Sequence, residues 1–108
     1  MKFGIIMQSN KPEHVWNTFR FGIAALKEGH AVDVALMSEG VEAEDIRDTA
    51  EFDVSRKIQE FKDLKGTLIA CETCLKVRSK SGSALCSTTT MNDLVGLIAE
   101  SDKVLVFG

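Results

Sequence analysis

Two of the three cysteines in this chain are close neighbours, and their spacing suggests thiol chemistry. Cys71 and Cys74 occur in the motif Cys-Glu-Thr-Cys, and Cys86 follows after a segment rich in glycine and serine. Residues 67–70 are short, apolar and typical of a strand, whereas residues 72–78 are typical of a helix. Cys71 is therefore predicted at a strand-to-helix junction. The unpaired N–H groups of a helix N-terminus favour thiolate over thiol at such a position.

The elements that position these cysteines alternate along the chain. Strands are predicted at residues 2–8, 31–37, 67–70 and 103–107, and helices at residues 12–28, 72–78 and 91–101, with a short helix and a longer one between residues 43 and 65. This alternation predicts one α/β domain over residues 1–108, with three layers: a mainly parallel sheet of four strands and helices on both of its faces.

Turn and cap residues mark the ends of several elements. Asn10 is a predicted N-cap of the first helix, and Gly29 ends that helix. Residues 38–41 are predicted to form a loop. Residues 87–90 are polar, and they are predicted to cap the following helix or, less simply, to bind an anion at its start.

The carboxyl ends of parallel strands meet at one edge of a sheet, where ligands and chemistry collect. Cys71 is therefore expected opposite the turns at residues 8–11 and 38–41. Asn10, His14 and Gly40 are the candidate pocket residues at this edge.

Composition excludes several classes of function. The net charge is −3, with no cluster of Lys or Arg, which argues against nucleic-acid binding, and no apolar run approaches the roughly 20 residues that a membrane span requires. Three cysteines cannot form a regular disulfide framework, so a reducing cytoplasm is the expected setting. A structural zinc site needs four ligands, whereas this chain offers three cysteines and two distant histidines, His14 and His30; no metal or bound cofactor is expected.

The run from Cys71 to Arg78, Cys-Glu-Thr-Cys-Leu-Lys-Val-Arg, and the terminal residues 101–107 resemble the DsrE/DsrF-like family of small sulfur-relay proteins, which includes TusD-type subunits. The resemblance implies a compact α/β domain that assembles into homotrimers or homohexamers. It also implies that Cys71, which aligns with the family's cysteine when Arg78 falls on the family's arginine, carries sulfane sulfur as a persulfide. One residue departs from the family pattern: Ser79 stands where the family commonly has glycine.

The leading hypothesis is a cytoplasmic sulfur carrier, a sulfurtransferase-type relay component rather than a turnover enzyme. Cys71 would take sulfane sulfur from a donor and pass it to an acceptor protein or a small thiol, with the sulfur held covalently. Cys74 shares a helix face with Cys71, and it either resolves the persulfide through a disulfide or simply packs. Arg78 either holds an anionic sulfur species or is a solvated cation, and Cys86 is a third thiol only if its loop folds back over Cys71.

Two alternatives belong to other classes. One is an oligomeric module with structural cysteines that binds a small ligand or a partner, since a buried cysteine behaves as a small hydrophobic residue. The other is a redox or metal sensor that uses all three cysteines across subunits.

Overall fold

The computed structural model describes all of residues 1–108 and contains five strands and four α-helices. In chain order these are β1 (Lys2–Met7), α1 (Pro12–Lys27), β2 (Ala31–Leu36), a 3-10 helix (Ser38–Asp45), α2 (Val54–Asp63), β3 (Thr67–Cys71), α3 (Glu72–Val77), β4 (Ser87–Thr89), α4 (Met91–Glu100) and β5 (Lys103–Phe107). None of the helices combines the length and the apolar composition needed to cross a membrane.

The strands form one sheet in the order β4-β3-β2-β1-β5, and every pair is parallel. The α/β class and the parallel sheet predicted from the sequence are therefore confirmed, but the predicted number of four strands is wrong. The fifth strand, β4, consists of only three residues, and it pairs with the end of β3 so that Cys71 lies opposite Thr89. Its two threonines are β-branched, which favours extended backbone even though the run is polar.

Helices cover both faces of the sheet, as predicted. On one face α1 and α2 pack against each other, and α1 packs on β1, whose alternate residues Ile5 and Met7 are both fully buried. Phe19 and Phe61 join these helices, with ring centroids 5.4 Å apart in an edge-to-face arrangement. Full burial of such side chains stabilises a fold by roughly 1.5–3 kcal/mol each. On the other face α4 packs against β1 where Gly4 leaves room, since a Cβ there would lie 2.5 Å from Oγ of Ser101.

The helix caps were predicted with mixed success. Asn10 is not the N-cap of α1: Lys11 occupies that position, and its N–H donates to Oγ of Ser9. Gly29 follows the end of α1 with a φ of +91°, which glycine adopts at little cost. At α4 the predicted cap is confirmed, because Oγ1 of Thr90 accepts a hydrogen bond from the N–H of Asp93.

The segment between β2 and α2 also differs from the prediction. Residues 38–41 belong to the 3-10 helix rather than to an irregular loop, and the short α-helix expected after Ala43 does not form. Gly40 explains the tight course, because a Cβ at this residue would lie 2.1 Å from the carbonyl oxygen of Met7. Asp48 then uses its carboxylate to accept a hydrogen bond from the N–H of Ser55 in the first turn of α2, so residues before α2 act as its cap.

Candidate functional site

Cys71 is the last residue of β3, and it immediately precedes α3. The parallel pairing of β1, β2 and β3 brings the turns at residues 8–11 and 38–41 to the same edge, as predicted. The Cys71 side chain is buried, with 5% of its surface exposed. Side chains alternate along a strand, so Cys71 lies on the opposite face of the sheet from Ala70, which belongs to the main core.

Cys74 lies one turn into α3 and is half-buried. The backbone N–H of Ser38 donates a hydrogen bond to its Sγ across 3.3 Å. Ser38 has a φ of +52°, an uncommon conformation for a residue other than glycine, and it begins the 3-10 helix two residues after the end of β2. Burial raises the pKa of the Cys74 thiol, and the neighbouring Cys71 raises it further, whereas the Ser38 N–H and the Arg78 charge act in the opposite direction.

Arg78 ties α3 to the 3-10 helix. Its Nε donates to Oε2 of Glu42 at 2.8 Å, and its Nη1 donates to the carbonyl oxygen of Cys74 at 3.1 Å. Asn10 adds a longer hydrogen bond of 3.4 Å to the other oxygen of Glu42. The Arg78 hydrogen bond, followed by that of Asn10, lowers the pKa of the Glu42 carboxyl. One carboxylate, Glu42, therefore joins the turn after β1, the 3-10 helix after β2 and the C-terminal end of α3, and the sequence reasoning did not identify it.

The backbone at Ser79, the residue after Arg78, shows why the family commonly has glycine at this position. Ser79 has a φ of +54°, its N–H donates to the carbonyl of Lys76, and the N–H of Lys80 donates to the carbonyl of Leu75. These two bonds form a Schellman motif, in which glycine is the favoured residue at the left-handed position. Ser79 therefore adopts the backbone conformation that a glycine would adopt more easily.

His14 and Gly40 reach this edge in different ways. His14 is exposed, and its Nδ1 shares a hydrogen bond of 2.8 Å with Oγ of Ser9, in the turn after β1. Gly40 is buried against the end of β1, where its missing side chain permits the close approach to Met7. Both residues shape the turns around the cysteines.

Cys86 lies away from the sheet edge that holds Cys71 and Cys74. It precedes β4 by one residue and lies three residues before Thr89, the partner of Cys71, which corresponds to roughly 10 Å along the strand. Its side chain is buried in the main core and lines a cavity of about 270 Å³ together with Ala70 and Leu75. Burial raises the pKa of the Cys86 thiol to about 12, with the nearby Glu44 charge adding to the effect. Cys86 is therefore a thiol that stays protonated at neutral pH.

The fold and this edge can be compared with known proteins. The sequence model of the DsrE/DsrF-like family matches residues 1–107. This chain belongs to the DsrE/DsrF-like family. Membership supports a sulfur-relay type of role at the level of the family.

Two similar proteins cover this DsrE-like chain almost completely. The uncharacterized protein MJ0989 of Methanocaldococcus jannaschii is 28% identical over 115 residues, spanning 99% of this chain and 100% of the relative. The crystal structure of the ychN protein from E. coli superimposes with a TM-score of 0.84 at 20% identity, covering 99% of this chain and 100% of the other. At that identity the structural likeness establishes the shared fold.

The edge of the DsrE-like chain thus holds two thiols in different surroundings. Cys71 is buried at the strand end, and Cys74 is half-buried one turn away; both are free thiols. No group of three or more His, Cys, Asp or Glu side chains in the chain is arranged to hold a metal ion. Two neighbouring thiols can exchange sulfur or close a disulfide by thiolate attack.

Proposed function

We propose that this protein is a sulfur carrier in which Cys71 holds sulfane sulfur as a persulfide and passes it to an acceptor protein or a small thiol. The observation that carries the proposal is the position of Cys71. As the last residue of β3, it lies at the edge of the sheet that also holds the turns after β1 and β2. Family membership supports the same chemistry.

Loading is an exchange of one sulfur atom. A thiolate of the carrier attacks the outer sulfur of a donor persulfide, a new S–S bond forms, and the donor leaves as a thiolate. The sulfane sulfur then resides on Cys71, whose 5% exposure slows its loss to thiols in solution without preventing it. No electrons are gained or lost overall, so the step needs no oxidant.

Release has two routes. An acceptor thiolate can take the outer sulfur and leave Cys71 as a thiolate. Alternatively, Cys74 attacks the inner sulfur on Cys71, which closes a Cys71–Cys74 disulfide and expels hydrosulfide. A thiol reductant must then reopen that disulfide before the next cycle, and a reducing cytoplasm, where we propose the protein works, supplies one.

The carrier is further proposed to be a homotrimer or homohexamer. Four large hydrophobic side chains are exposed on the face of the sheet that α4 covers: Met91 and Val95 of α4, and Val104 and Val106 of β5. Beside them lies a groove of about 450 Å³ lined only by apolar residues. All-parallel sheets are normally covered on both faces, so an apolar face of this size favours contact with further copies of the chain.

The proposal is tested by incubating the reduced protein with a low-molecular-weight persulfide and measuring the intact mass. The chain should gain the mass of one sulfur atom and lose it with dithiothreitol. Transfer to a second thiol should restore the original mass. Uptake by none of the cysteines from any sulfane donor would contradict the proposal.

A second candidate function rests on the cavity of about 270 Å³ beside β3. Its floor is apolar, and its rim carries Glu44, Asp45 and Lys80, so it has the mixed lining of a small-ligand site. In that case Cys71 and Cys86 would be structural residues. Ligand-induced stabilisation that survives replacement of Cys71 by alanine, together with no sulfur uptake, would favour this function.

A further inference from the structure

The two thiols at the edge differ in their access to solvent. Cys71 has 5% of its surface exposed, whereas Cys74 is half-buried and faces the turn after β2. A sulfur donor, whether a small persulfide or a protein, must bring its outer sulfur into contact with the attacking thiolate. The donor therefore meets Cys74 before it can meet Cys71.

The polar groups of the site also converge on Cys74. The N–H of Ser38 points at its Sγ, and Arg78 donates to its carbonyl oxygen while Glu42 holds the guanidinium in place. A hydrogen bond from an N–H to sulfur becomes stronger when the sulfur is anionic. This arrangement suits a sulfur that becomes charged during exchange.

We propose that sulfane sulfur enters this protein at Cys74 and is then relayed to Cys71, where it is stored. This order rests on the proposed sulfur-carrier function and adds a direction to it. It reverses the roles expected from the sequence, in which Cys71 meets the donor and Cys74 only resolves the product.

Each step of the relay is balanced. The Cys74 thiolate attacks the outer sulfur of the donor persulfide, an S–S bond forms at Cys74, and the donor leaves as a thiolate. The Cys71 thiolate then attacks that same outer sulfur. The S–S bond at Cys74 breaks, a new one forms at Cys71, and Cys74 leaves as a thiolate that takes up the proton released by Cys71. One sulfur atom has moved inward, with no net oxidation.

Local electrostatics act on Cys74 in two directions. Burial and the neighbouring Cys71 raise the pKa of its thiol, whereas the Ser38 N–H and the Arg78 charge lower that pKa and so favour the attacking thiolate. The Ser38 N–H then stabilises the anion in place.

The test follows the initial rate of sulfur gain with glutathione persulfide as the probe, by intact-protein and peptide mass spectrometry. Cys74→Ser should slow the gain at least tenfold, and the sulfur it does take up should lie on Cys71. Cys71→Ser should keep the wild-type initial rate, carry the sulfur on Cys74, and pass it back to added glutathione faster than the loaded wild type does, because Cys74 is more exposed than Cys71. Alanine variants at both positions repeat the measurement in case serine disturbs the fold, and Cys86→Ala is the matched control, expected to behave as the wild type.

The outcomes separate the relay from the carrier function. If the wild type loads but Cys74→Ser and Cys74→Ala load at its rate, the relay order is wrong while the carrier function stands. The same conclusion follows if the Cys71 variants take up no sulfur while the donor is present. If the wild type takes up no sulfur at all, the carrier function fails, and the relay fails with it.

Discussion

The backbone N–H of Ser38 lies 3.3 Å from Sγ of Cys74 and donates to it, which joins the turn after β2 to a thiol of α3. The hydrogen-bond donor is a backbone N–H, so its position depends on the left-handed conformation of Ser38 rather than on a side chain. The reactivity of Cys74 therefore depends on how β2 and β3 are paired.

Alkylation of Cys74 should be the fastest of the three cysteines, and its rate should keep rising above the ordinary thiol pKa of about 8.5. Burial is the main cause of the raised pKa of Cys74, and Cys71 adds to it, so Cys71→Ala should shift the profile to lower pH. Peptide-resolved iodoacetamide kinetics between pH 6 and pH 10 would measure this. A rate that levels off below the ordinary thiol pKa would contradict the prediction, and Cys86→Ala should leave the profile unchanged.

Cys86 should make the stability of the fold depend on alkaline pH. Burial raises its pKa to about 12 in the folded protein, so the thiol stays protonated there while the unfolded chain ionises near 8.5. The contribution of Cys86 to the free energy of unfolding is complete below pH 8.5 and is lost as the pH rises toward 12. Urea unfolding at a series of pH values should show the free energy of unfolding falling more steeply in the wild type than in Cys86→Ala. Parallel curves for the two proteins would refute the assignment.

Ser79→Gly should stabilise the protein by about 0.5–1 kcal/mol. The left-handed conformation at φ +54° costs a residue with a side chain more than it costs glycine, and both Schellman hydrogen bonds remain. Ser81→Gly is the matched control: Ser81 is also exposed but lacks the positive φ, so glycine should not stabilise the protein there. An unchanged or lower midpoint of urea unfolding in Ser79→Gly would contradict this account.

The apolar face that includes Val95 and Val106 should join copies of the chain. Light scattering at micromolar concentration should give a mass of three or six times the 11.8 kDa of one chain, and Val95→Glu should lower it. Val77 is 75% exposed at the end of α3, so Val77→Glu changes the charge equally and should leave the assembly intact. A wild-type mass near that of one chain would rule out the proposed assembly.

Elements with a strong apolar pattern were predictable from the sequence. The strand at residues 103–107 was predicted with its observed bounds, and the Thr90 cap of α4 was identified from the spacing of Asp93. β4 was not identified, because Ser87–Thr89 carries no apolar signal and becomes a strand only through pairing with β3. Local propensity cannot report a contact of that kind.

The position of Cys71 at the sheet edge followed from the order of strands and helices, but the surroundings of the thiols did not. Ser38 acts through its backbone N–H, which no side-chain pattern marks. Glu42 could have been noticed as a carboxylate two residues after Gly40, at the edge that Arg78 also reaches, since opposite charges at one edge often pair. Cys86 was expected to reach Cys71 only if its loop folded over the site, and the register of β4 directs it into the core instead.

The most direct test of the central claim is the location of the persulfide in loaded wild-type protein. After incubation with glutathione persulfide, the donor is removed and glutathione is added briefly as an acceptor for exposed sulfane sulfur. The thiols are then blocked, the protein is digested, and each cysteine-containing peptide is analysed for one extra sulfur atom. The account predicts the sulfur on Cys71, with Cys74 and Cys86 unmodified, and complete loss of this persistent adduct in Cys71→Ala. A persistent persulfide on Cys74 or Cys86, or one that survives in Cys71→Ala, would contradict it.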